Sequence, residues 1–304
     1  MNISPDSRGV DLRAEKLSCG KLGRFGSASI VSLLAALFLP ATALSAIFNW
    51  PTTPAWTGNS PAIGASETVD YSGTGQPISV TLTNTGATWD TGNGGPYPTV
   101  IAGGTGFLNN GGTDNGLILR ALSQTSNATY VQVTIDFTNV GGANNVSFQL
   151  WDIDATITGG NNFVDAITNI QAIAVGGGTV YADTVSNAHT SNPGTQYNII
   201  TGSGASLVIA GDGVQGGAAN STDQGQVTIG FSQTVQSISF QWSNSANPAN
   251  GGLLQQTVGI GPISFTPVPE VGAAAGALVL CGGLLAVGRV RRRRADCFFG
   301  RAAA

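Results

Sequence analysis

Charge is scarce in this chain, and positive charge is almost missing from its middle. Only 9% of the 304 residues are Asp, Glu, Lys or Arg. Between Ile47 and Phe265 there is no lysine, and Arg120 is the sole base against eleven acids, a net of −10. A surface with that balance cannot displace counterions from a phosphate backbone, which excludes nucleic acid as a partner. The three cysteines, Cys19, Cys281 and Cys297, fall outside this span, so it has neither a disulfide nor a thiol nucleophile. Without lysine it has no Schiff-base chemistry. His189 is the only histidine, in the loop-like stretch SNAHTSNPG, and no G-x-S-x-G elbow accompanies it. One imidazole builds no His-rich zinc site. These absences point away from an enzyme.

The missing bases are at the two ends. Arg8, Arg13, Lys16, Lys21 and Arg24 precede the weakly polar to apolar stretch Ser27 to Leu39 (SASIVSLLAALFL), and small residues follow it. That order fits a secretory signal peptide over 1–46, cleaved after Ala43 or Ala46. Near the other end, 271–288 is uncharged. As a helix it spans about 27 Å, close to the roughly 30 Å of bilayer hydrocarbon. Arg289 and the block Arg291, Arg292, Arg293 and Arg294 directly behind it belong on the cytoplasmic side, which sends everything before Val271 across the membrane. The leader predicts the same side for the same segment.

The tail Val268-Pro269-Glu270, a short hydrophobic helix and then an arginine cluster resembles the PEP-CTERM sorting signal of exopolysaccharide-producing Gram-negative bacteria. Val271 stands where that pattern has a second proline, and ten residues follow the arginines. Within the tail segment 266–304 the resemblance covers Pro267 to Arg294, and it implies recognition by exosortase, a membrane protease-transpeptidase that cuts near the Pro-Glu element. It further implies export through the Sec translocon, a transient stay in the inner membrane, and delivery to the cell surface or extracellular matrix of a biofilm.

Between the signals, over 47–265, apolar residues alternate in short runs separated by Gly, Asn and Ser. The runs are 78–84, 117–123, 129–138, 145–154, 164–175, 226–231, 235–243 and 258–265. Period two with β-branched and aromatic enrichment predicts antiparallel strands, and no stretch shows a convincing amphipathic helix. The expectation is one all-β domain, a β-sandwich or jelly roll, flanked by the signal peptide and a transmembrane sorting helix. Residues 51–61 read as an irregular lead-in and 90–112 as a long loop. Thr, Ser, Asn and Gln occupy outward positions where Lys and Glu are common, which suits either plain solubility or contact with hydroxyl-rich polysaccharide.

Within the strands one motif is prominent, Trp151-Asp152-Ile153-Asp154, with Asp165 after the TGGNN loop. If the strand continues, Asp152 and Asp154 follow Val146, Phe148 and Leu150 onto one face, with carboxylates about 6 to 7 Å apart along it. Asp152, Asp154 and Asp165 are then the candidate ligands of a calcium ion, which takes six to eight oxygens. FQLWDID also resembles an element of many secreted bacterial β-sandwich domains. The same spacing permits a glycosidase pair, but two aspartates on one strand reach only one side of a sugar. Trp151 and Trp242 lie in strands that also carry Phe148 and Phe240. One aromatic of each pair is expected in the core and the other outward, where an indole makes a sugar-stacking platform. The sequence thus leads to a non-enzymatic, structural or adhesive surface protein, with a calcium-stabilised carbohydrate-binding module as the alternative.

Overall fold

The structure, a computed structural model, describes residues 44–52, 56, 60–72, 78–91, 96–101, 114–122, 128–158, 161–187, 197–212, 225–244 and 255–268. The leader up to position 43, His189, Pro269, Glu270, the 271–288 helix and Arg291 to Arg294 lie outside them. Among the described residues no helix is long and apolar enough to cross a membrane.

The described chain is built from β-strands. In chain order they are β1 (Ala46–Phe48), β2 (Ser66–Asp70), β3 (Ser79–Asn84), β4 (Thr88–Trp89), β5 (Thr99–Ile101), β6 (Gly116–Leu122), β7 (Tyr130–Asp136), β8 (Ala143–Trp151) and β9 (Ala155–Thr158). There follow β10 (Asn161–Ala174), β11 (Thr179–Tyr181), β12 (Thr184–Asn187), β13 (Asn198–Thr201), β14 (Val208–Gly211), β15 (Val227–Phe231), β16 (Val235–Asn244) and β17 (Gln255–Pro267). All eight runs predicted from alternation are present. The short strands between them were not legible, because three or four residues carry too little periodicity to distinguish a strand from a turn.

Every pairing is antiparallel, and the strands form two facing layers. One runs β2–β3–β7–β16–β10, with β14–β13 along the first part of β10 and β11 along the last. The other runs β6–β17–β8–β15–β12, with β4 and β5 against β6 and β1 against β17. A single bridge, Val235 to Ala143, ties β16 to β8. Alternation explains the packing: in β3 and β7 every second residue is buried, placing Val80, Leu82, Val131, Val133 and Ile135 inside. Phe148 of β8 stacks on Phe240 of β16 with ring centroids 5.9 Å apart, and Phe137 meets Phe265 at 5.2 Å. The all-β sandwich-like architecture is as expected.

The tryptophans depart from expectation. Phe240 and Trp242, two residues apart on β16, share a face and are both fully buried. Trp151 is 4% exposed and Phe148 1%, so this strand end is covered on both sides. The reason is a slot made by glycines: a Cβ at Gly116, Gly259 or Gly261 would come within 2.2, 2.8 and 2.7 Å of the Trp151 ring. The indole occupies the volume those side chains would need. Neither Trp151 nor Trp242 therefore offers a stacking platform. The lead-in is irregular but anchored, because Trp50 donates its indole N–H to the Gly261 carbonyl (2.8 Å) and Trp56 to the Tyr71 hydroxyl (2.6 Å). Trp50 and Tyr71 also meet Phe48 edge to face.

β1 pairs with the end of β17, Ala46 opposite Phe265. The chain therefore enters and leaves this domain on neighbouring strands. Gly116→Ala is expected to push against the Trp151 ring and cost on the order of 1–3 kcal/mol, as overpacking of a filled core does, measurable as a lower denaturant midpoint at unchanged slope.

Candidate functional site

The three aspartates singled out in the sequence converge, though not as a continued strand. β8 ends at Trp151, and Asp152 adopts a left-handed backbone (φ 61°), which Asp tolerates better than most residues. The alternation that would have set Asp152 and Asp154 on one face stops there, which corrects the expected strand to 154. From this point the chain crosses from the β8 layer to the β10 layer. The Ile153 N–H donates to the Gly225 carbonyl (3.0 Å), and Asp165 donates its backbone N–H to the Asp154 carbonyl (2.9 Å) as the β9–β10 hairpin closes.

Two glycines make the crossing possible. A Cβ at Gly211 would lie 1.9 Å from the Asp154 carbonyl oxygen, and one at Gly225 would lie 2.9 Å from the Ile153 nitrogen. Any side chain at Gly211 would displace backbone, not a movable side-chain tip. With the backbone held this close, Asp165 is fully buried, Asp154 is 4% exposed and Asp152 is half-buried. Trp242 donates its indole N–H to Asp165 Oδ1 (3.0 Å), and the Asp154 N–H approaches Asp165 Oδ2 at 3.5 Å.

Burial and mutual proximity dominate the electrostatics. Removal from water pushes the Asp165 carboxyl well above the usual carboxylate range, the Asp154 charge raises it further, and the Trp242 N–H opposes the shift. Asp152 is raised for the same two reasons, with Arg120 opposing. Each of these carboxyls disfavours ionisation of its neighbours. Among the described residues no set of three or more His, Cys, Asp or Glu side chains is arranged to hold a metal ion. Of Asp152 and Asp154, the pair whose spacing allowed a glycosidase reading, Asp154 is buried and Asp152 half-buried.

Beside it lies a second buried polar group that the sequence did not reveal. Arg120, the lone base, is 5% exposed on β6 and forms an ion pair through Nε with Asp90 Oδ2 (3.0 Å). Gln255 bridges the pair, donating from Nε2 to Asp90 Oδ2 (3.0 Å) and accepting from Arg120 Nη2. The guanidinium sits 5.5 Å from the centre of the Tyr97 ring. Asp90 and Tyr97 fall in the segment read as a long loop, and only tertiary contact brings them to β6. On the outer side of β8, Ile47, Asn49, Asp114, Ser147, Gln149 and Thr228 line a groove of about 390 Å³.

Comparison with protein-family models, curated protein sequences and solved structures finds no match to this chain.

Two outcomes follow from the charges. A carboxyl raised in the folded state binds more protons than in the unfolded chain, so its contribution to stability is lost as pH rises from the ordinary carboxylate range through its folded pKa. Asp165→Asn keeps an acceptor for Trp242 and removes that loss. It should flatten the fall of Tm between pH 5 and pH 8 and raise Tm at pH 8 by on the order of 3 °C, the shift that about 1 kcal/mol brings in a domain of this size. Arg120→Ala strands a buried carboxylate and should cost about 3–5 kcal/mol, with much of it regained in Arg120→Ala/Asp90→Asn, as read by a double-mutant cycle in urea.

Proposed function

We propose that the protein is an exported, non-catalytic component of an exopolysaccharide-associated cell-surface layer, with a structural or adhesive role. In this reading the leader directs the chain to the Sec translocon, the 271–288 helix holds it transiently in the inner membrane, and exosortase cuts near Pro269-Glu270. The observation that carries the reading is the pairing of Ala46 with Phe265. The first and last described strands are neighbours, so the described chain begins at Leu44 and ends at Val268 along one margin of the domain. The lysine-free composition of that domain and the burial of Asp154 and Asp165 agree with a display role.

The same pairing bears on the leader. Cleavage after Ala46 would remove that residue from its place opposite Phe265, whereas cleavage after Ala43 leaves β1 whole. Intact-mass measurement of the released protein should therefore find Leu44 at the front and an end near Pro269 at the back. A cytoplasmic, full-length chain would overturn the proposal.

A further inference from the structure

The outer face of the β2–β3–β7–β16–β10 layer carries side chains in register across five strands. One row is Ser66, Thr83, Gln132, Gln241 and Thr168, and the next is Thr68, Thr81, Thr134, Ser239 and Gln171. All ten are half-buried or exposed, and all are hydroxyls or amides. Five strands at about 4.8 Å spacing make a face roughly 19 Å wide, with the rows about 7 Å apart along the strands. Neighbours in the rows already hydrogen-bond: Ser66 with Thr83 at 2.8 Å, Thr68 with Thr81 at 2.7 Å, and Gln241 Nε2 to Gln132 Oε1 at 3.5 Å. Asn169 at the edge adds a bond to Gln241 at 2.5 Å. β-branched threonines and these bonds restrict the side chains before anything binds, which lowers the ordering cost of a contact.

The chemistry of this face selects its partner. Neither row holds a charge, so it has no attraction for phosphate, sulfate or carboxylate polymers. As far as β10 neither row holds an aromatic side chain or an arginine, the residues that anchor protein interfaces; Tyr181 of β11 continues the second row beyond Gln171 and Ile173 stands in the next row, single exposed side chains and no apolar patch that would enter a lipid surface. The next row carries the carboxylates Asp70 and Asp136, which accept from the Ser72 N–H and the Thr138 N–H and disfavour an anionic polymer. What the two rows offer is a repeating set of neutral donors and acceptors, matched by a polymer with the same properties.

We infer that this face binds a neutral, hydroxyl-rich polysaccharide laid across the strands. The inference deepens the proposed function by naming what the displayed domain adheres to. Binding by the purified chain and the processing of its ends are measured separately, so either can fail alone.

The test is cosedimentation of the full chain, purified in mild detergent, with insoluble cellulose, curdlan and starch granules. At least one should retain the protein, with soluble dextran competing and hyaluronate not. Thr81→Val/Thr134→Val/Ser239→Ala removes three hydroxyls from the middle of one row and should weaken retention about tenfold, as loss of a few neutral hydrogen bonds does, at unchanged Tm. If that variant melts early, Thr81→Lys alone should abolish retention by placing a charged chain on the face. Ser147→Ala/Thr228→Val, in the groove of the opposite layer, should have no effect. The inference is overturned by a folded protein that no neutral polymer retains, by preferential competition from hyaluronate, by loss of retention in the groove variant, or by face variants that instead dissolve a dimer of the protein.

Discussion

The backbone contact between Gly211 and Asp154 is the constraint on which the interior depends. It brings the crossing segment 152–155 against β14 at a distance only a glycine allows, so the two layers close over one end of the core. Closure in turn buries Asp154 and Asp165, and burial together with the neighbouring Asp154 charge raises the proton affinity of Asp165 and Asp152. The indole of Trp242 is the compensating donor. Read in this order, the acidic cluster follows from a requirement of chain path. Residue types that suggest a calcium site on an open strand become a closed corner where, among the described residues, no set of ligands is arranged around a metal ion once the strand turns at Asp152.

The same logic governs the aromatic residues. All five tryptophans are buried, and each indole N–H is used inside the protein: Trp50 on Gly261, Trp56 on Tyr71, Trp89 on Pro61, Trp151 on Gln149 and Trp242 on Asp165. A chain with little charge and many glycines gains most of its stability from large apolar side chains, and a tryptophan whose polar atom is satisfied supplies much buried area per residue. The two rows of the outer face are uncharged, while carboxylates elsewhere leave the described surface acidic. In the inferred polysaccharide contact, the pleat is what spaces the hydroxyls and amides of those rows.

Several features were legible from the order of residues. Alternation in 78–84, 129–138 and 235–243 reports strands because a pleated strand sends successive side chains to opposite faces, a local property needing no partner. The neutral outward positions of those runs were equally visible. That Thr81, Thr134 and Ser239 stand side by side was not, because register across a layer joins residues more than fifty positions apart. Arg120 stood out as the only base in the middle, yet its partners Asp90 and Gln255 lie 30 and 135 positions away and no local pattern links them.

Composition, charge placement and periodicity by themselves determined the all-β class, the lack of a thiol in the middle and of a second histidine, and the division into charged hydrophobic ends and a lysine-free middle. Each depends on residue type or near neighbours along the chain. Only the tertiary structure decided that the tryptophans are core, that Asp152, Asp154 and Asp165 meet at a buried corner, and that neutral side chains align into rows. Those outcomes rest on which distant backbones can approach, and at Gly116, Gly211, Gly225, Gly259 and Gly261 on the absence of a side chain whose effect appears only when another strand arrives.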